Sequence, residues 1–582
     1  MNFSLGVVME RLEVKTVNGK QYYYYSNWGW KGGKCRRIWQ KYLGKIEDIV
    51  KAVEGGGPAP MYADVFQWGL PCALWKEVLR AQVVEAIDGL CPKRDQGLST
   101  GQYLSIAAVN RAMQPKSKRS IWEWFSQTAL LRFLPEASKN ALSSQRFWDH
   151  MDRVDADTAI QIWERILGQV VRRESIDLSS VSYDGTNFYT FIDTFNVRCS
   201  IATRGKNKQG RCNLRQVSYA LFCSSDGHIP LYYDVYEGNR NDAKEFPGIV
   251  KRFHEFLKEL CNGPCSEPKI TVVFDKGNNS KTNFALLDSL KVGYVGSVKL
   301  DEHKDLAEIP NKDDRFETYA LKRLEGTKGF RVKKEVYGKE RTLVVTCNQS
   351  LYDAQWLTVQ SDIAKAMEQL ASLRRRLEDR VAGVINQGKC PSKDSVQAQC
   401  HSILKRQHMK RLIKTDITEG SDGIPRLSYD VDGEALQRLS ETWLGKNILI
   451  TNRDDWDDAS IICAYRSQYV IEGVFKEMKD RCNGSWWPLH HWTDSKIRVH
   501  ALYCTIALLL RALALRRLTN AGLSLCMSRF LSELDAVREV VNIYPKKRGQ
   551  KTARQQSVLT KTSQLQDQMM KILGLRKEDI AF

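Results

Sequence analysis

The stretch ITVVFD, residues 270–275, decides the fold. Its apolar and β-branched residues run on without polar alternation, as in a strand buried on both faces of a sheet. Asp275 closes the run. Upstream, SSVSYD (179–184) reads as another strand ending in a carboxylate, Asp184. Leu214–Cys223 and Ile229–Tyr236 read as two more strands joined through an Asp226–Gly227 turn. Ala243–Cys261 has helical spacing, with Phe246, Ile249, Val250, Phe253 and Phe256 on one face. Beyond Asp275, a helix over Lys281–Leu290 and a strand over Gly293–Val298 follow. The order β-β-β-α-β-α-β predicts an α/β mixed sheet with acids at the ends of its first and fourth strands. Two carboxylates on adjacent strand ends can share divalent metal.

A third acid comes from a helix predicted over 459–480, ASIICAYRSQYVIEGVFKEMKD. Tyr465, Glu472 and Lys479 are spaced by seven and seven. Seven residues turn about 700°, so each lies within about 20° of the one before. Gln468 sits beside them. Alone, this is an amphipathic helix with a solvated Glu; beside two strand-end aspartates, it supplies a third metal ligand.

The remaining composition narrows the class. The chain has 582 residues, enough for several domains, and its net charge of +20 favours a polyanionic partner. The N-terminus lacks a secretory pattern. The longest apolar run, Ala501–Leu510, is shorter than the ~20 residues of a membrane span and reads as a buried helix. Fifteen scattered cysteines, the nearest spacings being Cys261–Cys265 and Cys390–Cys400, predict reduced thiols in a cytosolic protein.

Residues 1–54 read as a β-meander, rich in Tyr22–Tyr25, Trp28, Trp30 and Trp39, with turns at Gly19, Gly29, Gly32 and Gly33. Lys31, Lys34, Arg36 and Arg37 interleave with the rings, either to touch DNA or to pack a hairpin. GGGPAP (55–60) is a linker. Residues 61–173 predict a helical domain, with Ser99–Thr100 and Ser143–Ser144 as helix starts. It reads either as a helix-turn-helix reader of DNA or as a packing module; Lys116, Lys118 and Arg119 fall in a loop suited to phosphate. The core is divided into 174–300 and 451–535, around an insertion over 301–450. Phe330–Tyr337 and Thr342–Cys347 read as insertion strands. Asp362–Val384 reads as a helix with Ile363, Met367, Leu370 and Leu377 on one side. Arg374–Arg376, Lys405–Arg406 and Lys410–Arg411 form basic clusters. The tail, 536–582, holds a basic, flexible stretch (PKKRGQKTARQQ, 545–556) and an amphipathic helix, Ser563–Leu575, suited to a partner.

The strand order resembles the ribonuclease-H-like fold. The 459–480 segment resembles the Tyr-x2-Arg-x3-Glu-x6-Lys signature of bacterial insertion-sequence transposases of the insertion-sequence-four superfamily. Tyr465, Glu472 and Lys479 match; Gln468 stands where that family has Arg. LRQVSYALFCSSDGHIPLYYDVYEGNRND (214–242), VVFDKGNNSKTNFALLDSLKVGYVGSVK (272–299) and LHHWTDSKIRVHALYCTIALLL (489–510) are similar to further family blocks. The resemblance implies a DDE transposase with a β-rich insertion. Its catalytic and metal residues would be Asp184, Asp275 and Glu472, with two Mg²⁺ (or Mn²⁺) ions. Asp184 would bridge both ions, Asp275 would hold one and Glu472 the other. Tyr465, Gln468 and Lys479 would touch DNA. Arg466 replaces the missing Arg only if the helix departs from ideal geometry. The implied partner is double-stranded DNA, at the element ends and the target, bound by a homodimer in the bacterial cytoplasm on the nucleoid, with no membrane. Terminal inverted repeats would be cleaved and their 3′-hydroxyl ends joined to target DNA.

Other candidates read differently. His490, His491 and His500 suit structural or DNA-backbone roles better than a metal site, since carboxylates already suit Mg²⁺. Trp486, Trp487 and Trp492 read as packing before base stacking. The resemblance implies an insertion-domain aromatic that holds a flipped base, and Trp356 and Trp443 are the two candidates, with no motif to choose between them. Asp242 reads as structural. Two alternatives remain: a catalytically inactive, sequence-specific DNA-binding protein derived from a transposase, and a nuclease of the same fold without strand transfer.

Overall fold

The computed structural model describes residues 9–31, 34–54, 59–92, 97–205, 210–260, 270–480, 484–546 and 552–576. The chain forms two compact units: Met1–Trp75 with Trp122–Ala137 and Arg517–Phe582, and Lys76–Ile121 with Ser138–Arg516. Cys261, Cys265, Gly32, Gly33, most of the linker (55–58) and 547–551 of the basic tail lie outside the described residues.

In the smaller unit, β1 (Met9–Val17), β2 (Lys20–Lys31) and β3 (Lys34–Gly44) form an antiparallel sheet. Its aromatics alternate with cations because cross-strand neighbours share a face. Arg11 and Arg37 lie 4.4 and 5.6 Å from the centre of the Trp28 ring, whose Nε1 donates to Glu13 at 2.7 Å. β4 (Tyr62–Gln67) pairs with a distant part of the chain, as described below.

The larger unit is built on one mixed sheet. Its strands are β5 (Ser180–Thr190), β6 (Thr203–Arg204), β7 (Arg215–Ser224), β8 (Pro230–Glu237), β9 (Thr271–Phe274) and β10 (Gly293–Val298), then β11 (Glu317–Thr318), β12 (Thr327–Val336) and β13 (Lys339–Asn348). A separate hairpin, β14 (Ile413–Glu419) and β15 (Pro425–Val431), precedes β16 (Lys446–Thr451). The order is β11-β12-β13-β16-β10-β9-β5-β7-β6, with β8 also on β7. β5, β9 and β10 run parallel, flanked by antiparallel β7 and β16. Every residue of β9 and β10 is buried, as their apolar runs require. The helix Asp242–Leu260 packs on β5 and β7 with its predicted face buried; Phe222 stacks on Phe253 at 4.3 Å and Phe246 meets Phe274 at 5.2 Å.

Two sequence expectations change here. β12 and β13 belong to the main sheet, because β16 pairs with β13 on one edge and β10 on the other. Residues 301–450 thus lend β11, β12 and β13 to the main sheet and keep only the β14–β15 hairpin apart from it. The insertion's own core gathers around the helix Gln349–Val381, with Leu370, Leu373 and Leu377 buried against Val396, Cys400, Leu427 and Trp443. Helix Thr100–Met113 is also buried on nearly every side; Ser99 caps it by accepting from Gln102 N. A helix with no exposed face has none to offer a DNA groove, so it is not a recognition helix.

The predicted tail is folded where it is described. β17 (Arg538–Ile543) pairs with both β18 (Gln555–Leu559) and β4. Buried Glu539 on β17 is ion-paired to Arg132. Helix Gln564–Leu573 spends its apolar face inside this unit: Met569, Met570 and Leu573 are buried, and Gln566 donates to the Glu533 carbonyl at 3.1 Å.

Candidate active site

β5 and β9 pair in parallel from Ser180↔Thr271 to Tyr183↔Phe274. The next residue on each strand is acidic, so Asp184 and Asp275 stand abreast. β9 stops at Phe274, and Asp275 precedes a short 3₁₀ turn. Asp184 does not end its strand as predicted: β5 runs on to Thr190 because β7 still pairs with it, from Asp184↔Leu221 to Thr190↔Arg215. Asp184 is half-buried and accepts from Gly185 N at 2.8 Å. Asp275 is exposed.

Side chains alternate along a strand, so Ser182, Asp184 and Thr186 share a face. Ser182 Oγ lies 3.5 Å from Ser467 Oγ, and Thr186 Oγ1 accepts from Lys479 Nζ. The helix Tyr469–Lys479 thus lies along the face that carries Asp184, and Glu472 projects from its first turn, exposed. Lys479 also sits 5.5 Å from the Phe188 ring centre.

The single helix predicted over 459–480 is two helices, Asp458–Arg466 and Tyr469–Lys479. Between them the hydrogen bonds tighten to i→i−3 (Gln468 N to Tyr465 O, 3.2 Å; Val470 N to Ser467 O, 3.0 Å), and Ser467 Oγ donates back to Ala464 O at 2.6 Å. The seven-residue repeat therefore holds for Glu472 and Lys479 but not for Tyr465. Tyr465 turns inward: its hydroxyl donates to Ser297 Oγ at 2.8 Å and reaches Asp275 Oδ1 at 3.5 Å, and burial raises its pKa. Gln468 lies half-buried at the junction. Arg466 donates to Arg323 O and Thr327 Oγ1, which commits it elsewhere.

Asp184 and Asp275 come together, with Glu472 on the overlying helix. Among the described residues, no three His, Cys, Asp or Glu side chains are already grouped to hold an ion. By chemistry the donor set suits a hard divalent cation: three carboxylates, two of them exposed and one half-buried.

The other candidates resolve into packing. Trp486 stacks on Phe188 at 4.0 Å and 12°, and Trp487 tilts over Tyr189 at 4.6 Å. His500 is fully buried between Tyr503 OH (2.5 Å) and Trp486 O (2.8 Å); burial holds both His500 and His491 well below the usual imidazole range. His490 and Trp492 are exposed. Lys118 is not a phosphate contact: it is buried 4.2 Å from the Tyr503 ring centre, and burial lowers its pKa. Trp443 is buried in the insertion core and Trp356 packs against it, so neither offers a free ring. Asp242 accepts from Tyr236 OH at 2.7 Å and backs Gly185, where a Cβ would come within 3.1 Å of its Cγ. Sequence reasoning missed Thr186 and Ser297, the partners of Lys479 and Tyr465. The one available signal was a lone serine in the apolar run GYVGSV.

A model of the transposase DDE domain matches residues 181–510, more than half of the chain. No curated protein matches significantly. Two solved structures are distantly similar. One is a piggyBac transposase synaptic complex with hairpin DNA, at 9% identity over 80% of this chain and 79% of that one, with TM-score 0.36. The other is a Mos1 transposase paired-end complex with the left transposon end, at 11% identity over 35% of this chain and 60% of that one, with TM-score 0.14. These likenesses carry no part of the assignment, which rests on the domain match: the chain belongs to the transposase DDE domain family.

Proposed function

We propose that this protein is a metal-dependent transposase of the insertion-sequence-four superfamily. In this reading the sheet from β8 through β7, β5 and β9 to β10 is a ribonuclease-H-like core. It binds the terminal inverted repeats of its own element, cleaves the DNA ends and joins the freed 3′-hydroxyls to target DNA. The observation that carries the reading is the pair Asp184 and Asp275, abreast on neighbouring parallel strands within the matched domain.

Asp184, Asp275 and Glu472 would hold two Mg²⁺ or Mn²⁺ ions, and Glu472 has three rotatable side-chain bonds with which to reach the pair. Metals so held supply a polarised nucleophile and neutralise charge on the leaving oxygen. The protein's own groups do the rest. Lys479, fixed at Thr186 two residues beyond Asp184, offers a cation to a phosphate oxygen next to the acids. Tyr465 keeps Asp275 and Ser297 in register from the inner side. The partner is double-stranded DNA, bound by a homodimer on the nucleoid.

Asp275→Asn tests this. It should abolish Mg²⁺-dependent end cleavage and strand transfer on a terminal-repeat substrate while leaving DNA binding intact. Wild-type cleavage by the variant would overturn the assignment. Gln468, uncharged where the signature has Arg, favours a second reading, a DNA-binding protein without catalysis. Wild-type protein that binds the repeats and never cuts them with Mg²⁺ would establish it. Cleavage without joining would instead identify a nuclease.

A further inference from the structure

Around Tyr503 the larger unit buries two cations that no acid balances. Arg111, in the last turn of the helix Thr100–Met113, is 2% exposed; Lys118, at the start of a 3₁₀ turn, is 7% exposed. Both address one ring: Lys118 Nζ lies 4.2 Å from the centre of Tyr503, and Arg111 Cζ lies 5.9 Å from it. Arg111 donates to the Trp486 and Pro488 carbonyls at 3.3 and 2.9 Å, but its Nε and the Lys118 Nζ find no acceptor. Among the described residues, no carboxylate pairs with either. The histidines beside them add no negative charge. His500 Nε2 donates to the Trp486 carbonyl at 2.8 Å, so its Nδ1 accepts from Tyr503 OH at 2.5 Å, and His491 Nε2 lies 3.4 Å from the same hydroxyl. Burial, then the two cations, keep both imidazoles neutral. Tyr503 and Cys504 are fully buried too; burial pushes the thiol up to about 12 and raises the phenol as well, so neither becomes an anion. A guanidinium keeps its proton in any protein setting, and charge buried without a partner is among the costliest arrangements in a fold.

We infer that Arg111 and Lys118 hold a monatomic anion, chloride, inside the larger unit, as a structural ion apart from Asp184, Asp275 and Glu472. The sign of the ion follows from the inventory: two cations, two neutral imidazoles, a thiol and a phenol, with no acid. Its size follows from the seal. Both donors are more than nine-tenths buried, and the ring of Phe147 closes the far side of Lys118 at 5.3 Å, so a compact ion fits where the four oxygens of a phosphate would go unsatisfied. With the ion in place Lys118 keeps its proton; otherwise burial and Arg111 favour the neutral amine. The ion would tie the helix Thr100–Met113 to the segment 485–491, whose Trp486 stacks on Phe188 of β5. This inference does not depend on the transposase reading.

The test follows the thermal midpoint of the full-length protein as sodium gluconate is exchanged for sodium chloride at constant ionic strength and pH. A ligand that binds only the folded state stabilises it by an equal increment for each tenfold rise above its dissociation constant, which for a unit of this size is about 1–3 °C. Wild type should show that increment. Lys118→Met keeps the stem and drops the charge, so it should melt at or above wild type in gluconate and lose the chloride increment. Equal wild-type midpoints in the two salts would mean that Lys118 sheds its proton and stays dry, which overturns the inference. A chloride increment that Lys118→Met retains overturns it too, because the ion then binds elsewhere. A second measurement needs no variant: crystals of the wild type soaked in bromide should show an anomalous peak between Lys118 Nζ and Arg111. Bromide confined to the molecular surface would refute the site even if Lys118→Met failed to fold.

Discussion

Arg341 on β13 joins β12, β10 and the helix Lys281–Ser289, and its removal has a calculable cost. The guanidinium is 5% exposed. It grips Asp288 with two hydrogen bonds, 3.2 and 2.9 Å, donates to the Val336 carbonyl at 3.0 Å and to Tyr294 OH, and lies over Phe284. Asp288 lies in the last turn of the helix Lys281–Ser289, and Tyr294 belongs to β10. In Arg341→Met, Asp288 stays largely buried with only Lys339, at 3.2 Å, for a partner. Stripping one partner from a buried pair costs about 3–5 kcal/mol, and the surviving lysine places this case near 3 kcal/mol. The cost should depend on pH. Burial pushes the Asp288 carboxyl up, but hydrogen bonds and charge from Arg341 and Lys339 outweigh it and hold the pKa below the usual value. A depressed carboxylate contributes stability above its unfolded pKa of about 3.9, and that contribution disappears as pH falls through the folded value. Urea unfolding followed by tryptophan fluorescence should show the wild-type advantage at pH 7 and its shrinkage toward pH 3. A difference under about 0.5 kcal/mol at pH 7, or one constant across that range, would refute the argument.

Three further outcomes are expected. On the proposed function, Lys479→Ala should lower the single-turnover cleavage rate about 10–100-fold with little change in DNA affinity, because its ammonium is held at Thr186, two residues from Asp184; an unchanged rate would remove it from the site. Glu164 has its pKa raised to about 7 by burial and by the charge of Glu259. Because the folded state holds this proton more tightly than the unfolded chain, stability falls as pH rises from about 4.3 to 7. Glu164→Gln should therefore raise the thermal midpoint at pH 8 and leave it unchanged at pH 4. Leu370→Ala, at a fully buried position of the insertion core, should cost about 2–5 kcal/mol and expose the Gln349–Val381 helix to limited proteolysis before the β-sheet.

What could be read from the sequence was set by local pattern. Val272–Phe274 is apolar without interruption, so a buried strand ending before Asp275 follows from composition alone. Phe246, Ile249, Val250 and Phe253 recur at helical spacing, and the helix buries that face. Ser99 precedes Gln102 by three residues, which is enough to mark a capped helix start. The errors arose where a distant partner decides. SSVSYD read as a strand stopping at Asp184, but β7 continues it through Gly185, where a Cβ would press on Asp242 at 3.1 Å. The break at Ser467 depends on a side chain turning back onto Ala464 O, which leaves no trace in periodicity. Lys118 looked like a loop cation because nothing nearby in sequence reveals the Tyr503 ring beneath it. β12 and β13 resembled an independent insertion because the strand that draws them into the main sheet, β16, lies about a hundred residues further on.

That late strand has a cost during synthesis. β10 is complete at Val298, and the residues of β16 that pair with it begin at Ile448. At roughly 5–20 residues per second, the ribosome takes about 7–30 s to make the intervening chain. Throughout that interval the edge of β10 away from β9 has no neighbour, and an uncovered strand edge invites pairing with other chains. Lowered temperature or slowed translation should therefore favour aggregates seeded at GYVGSV, and a chaperone that shields this hexapeptide until the insertion emerges would raise soluble yield.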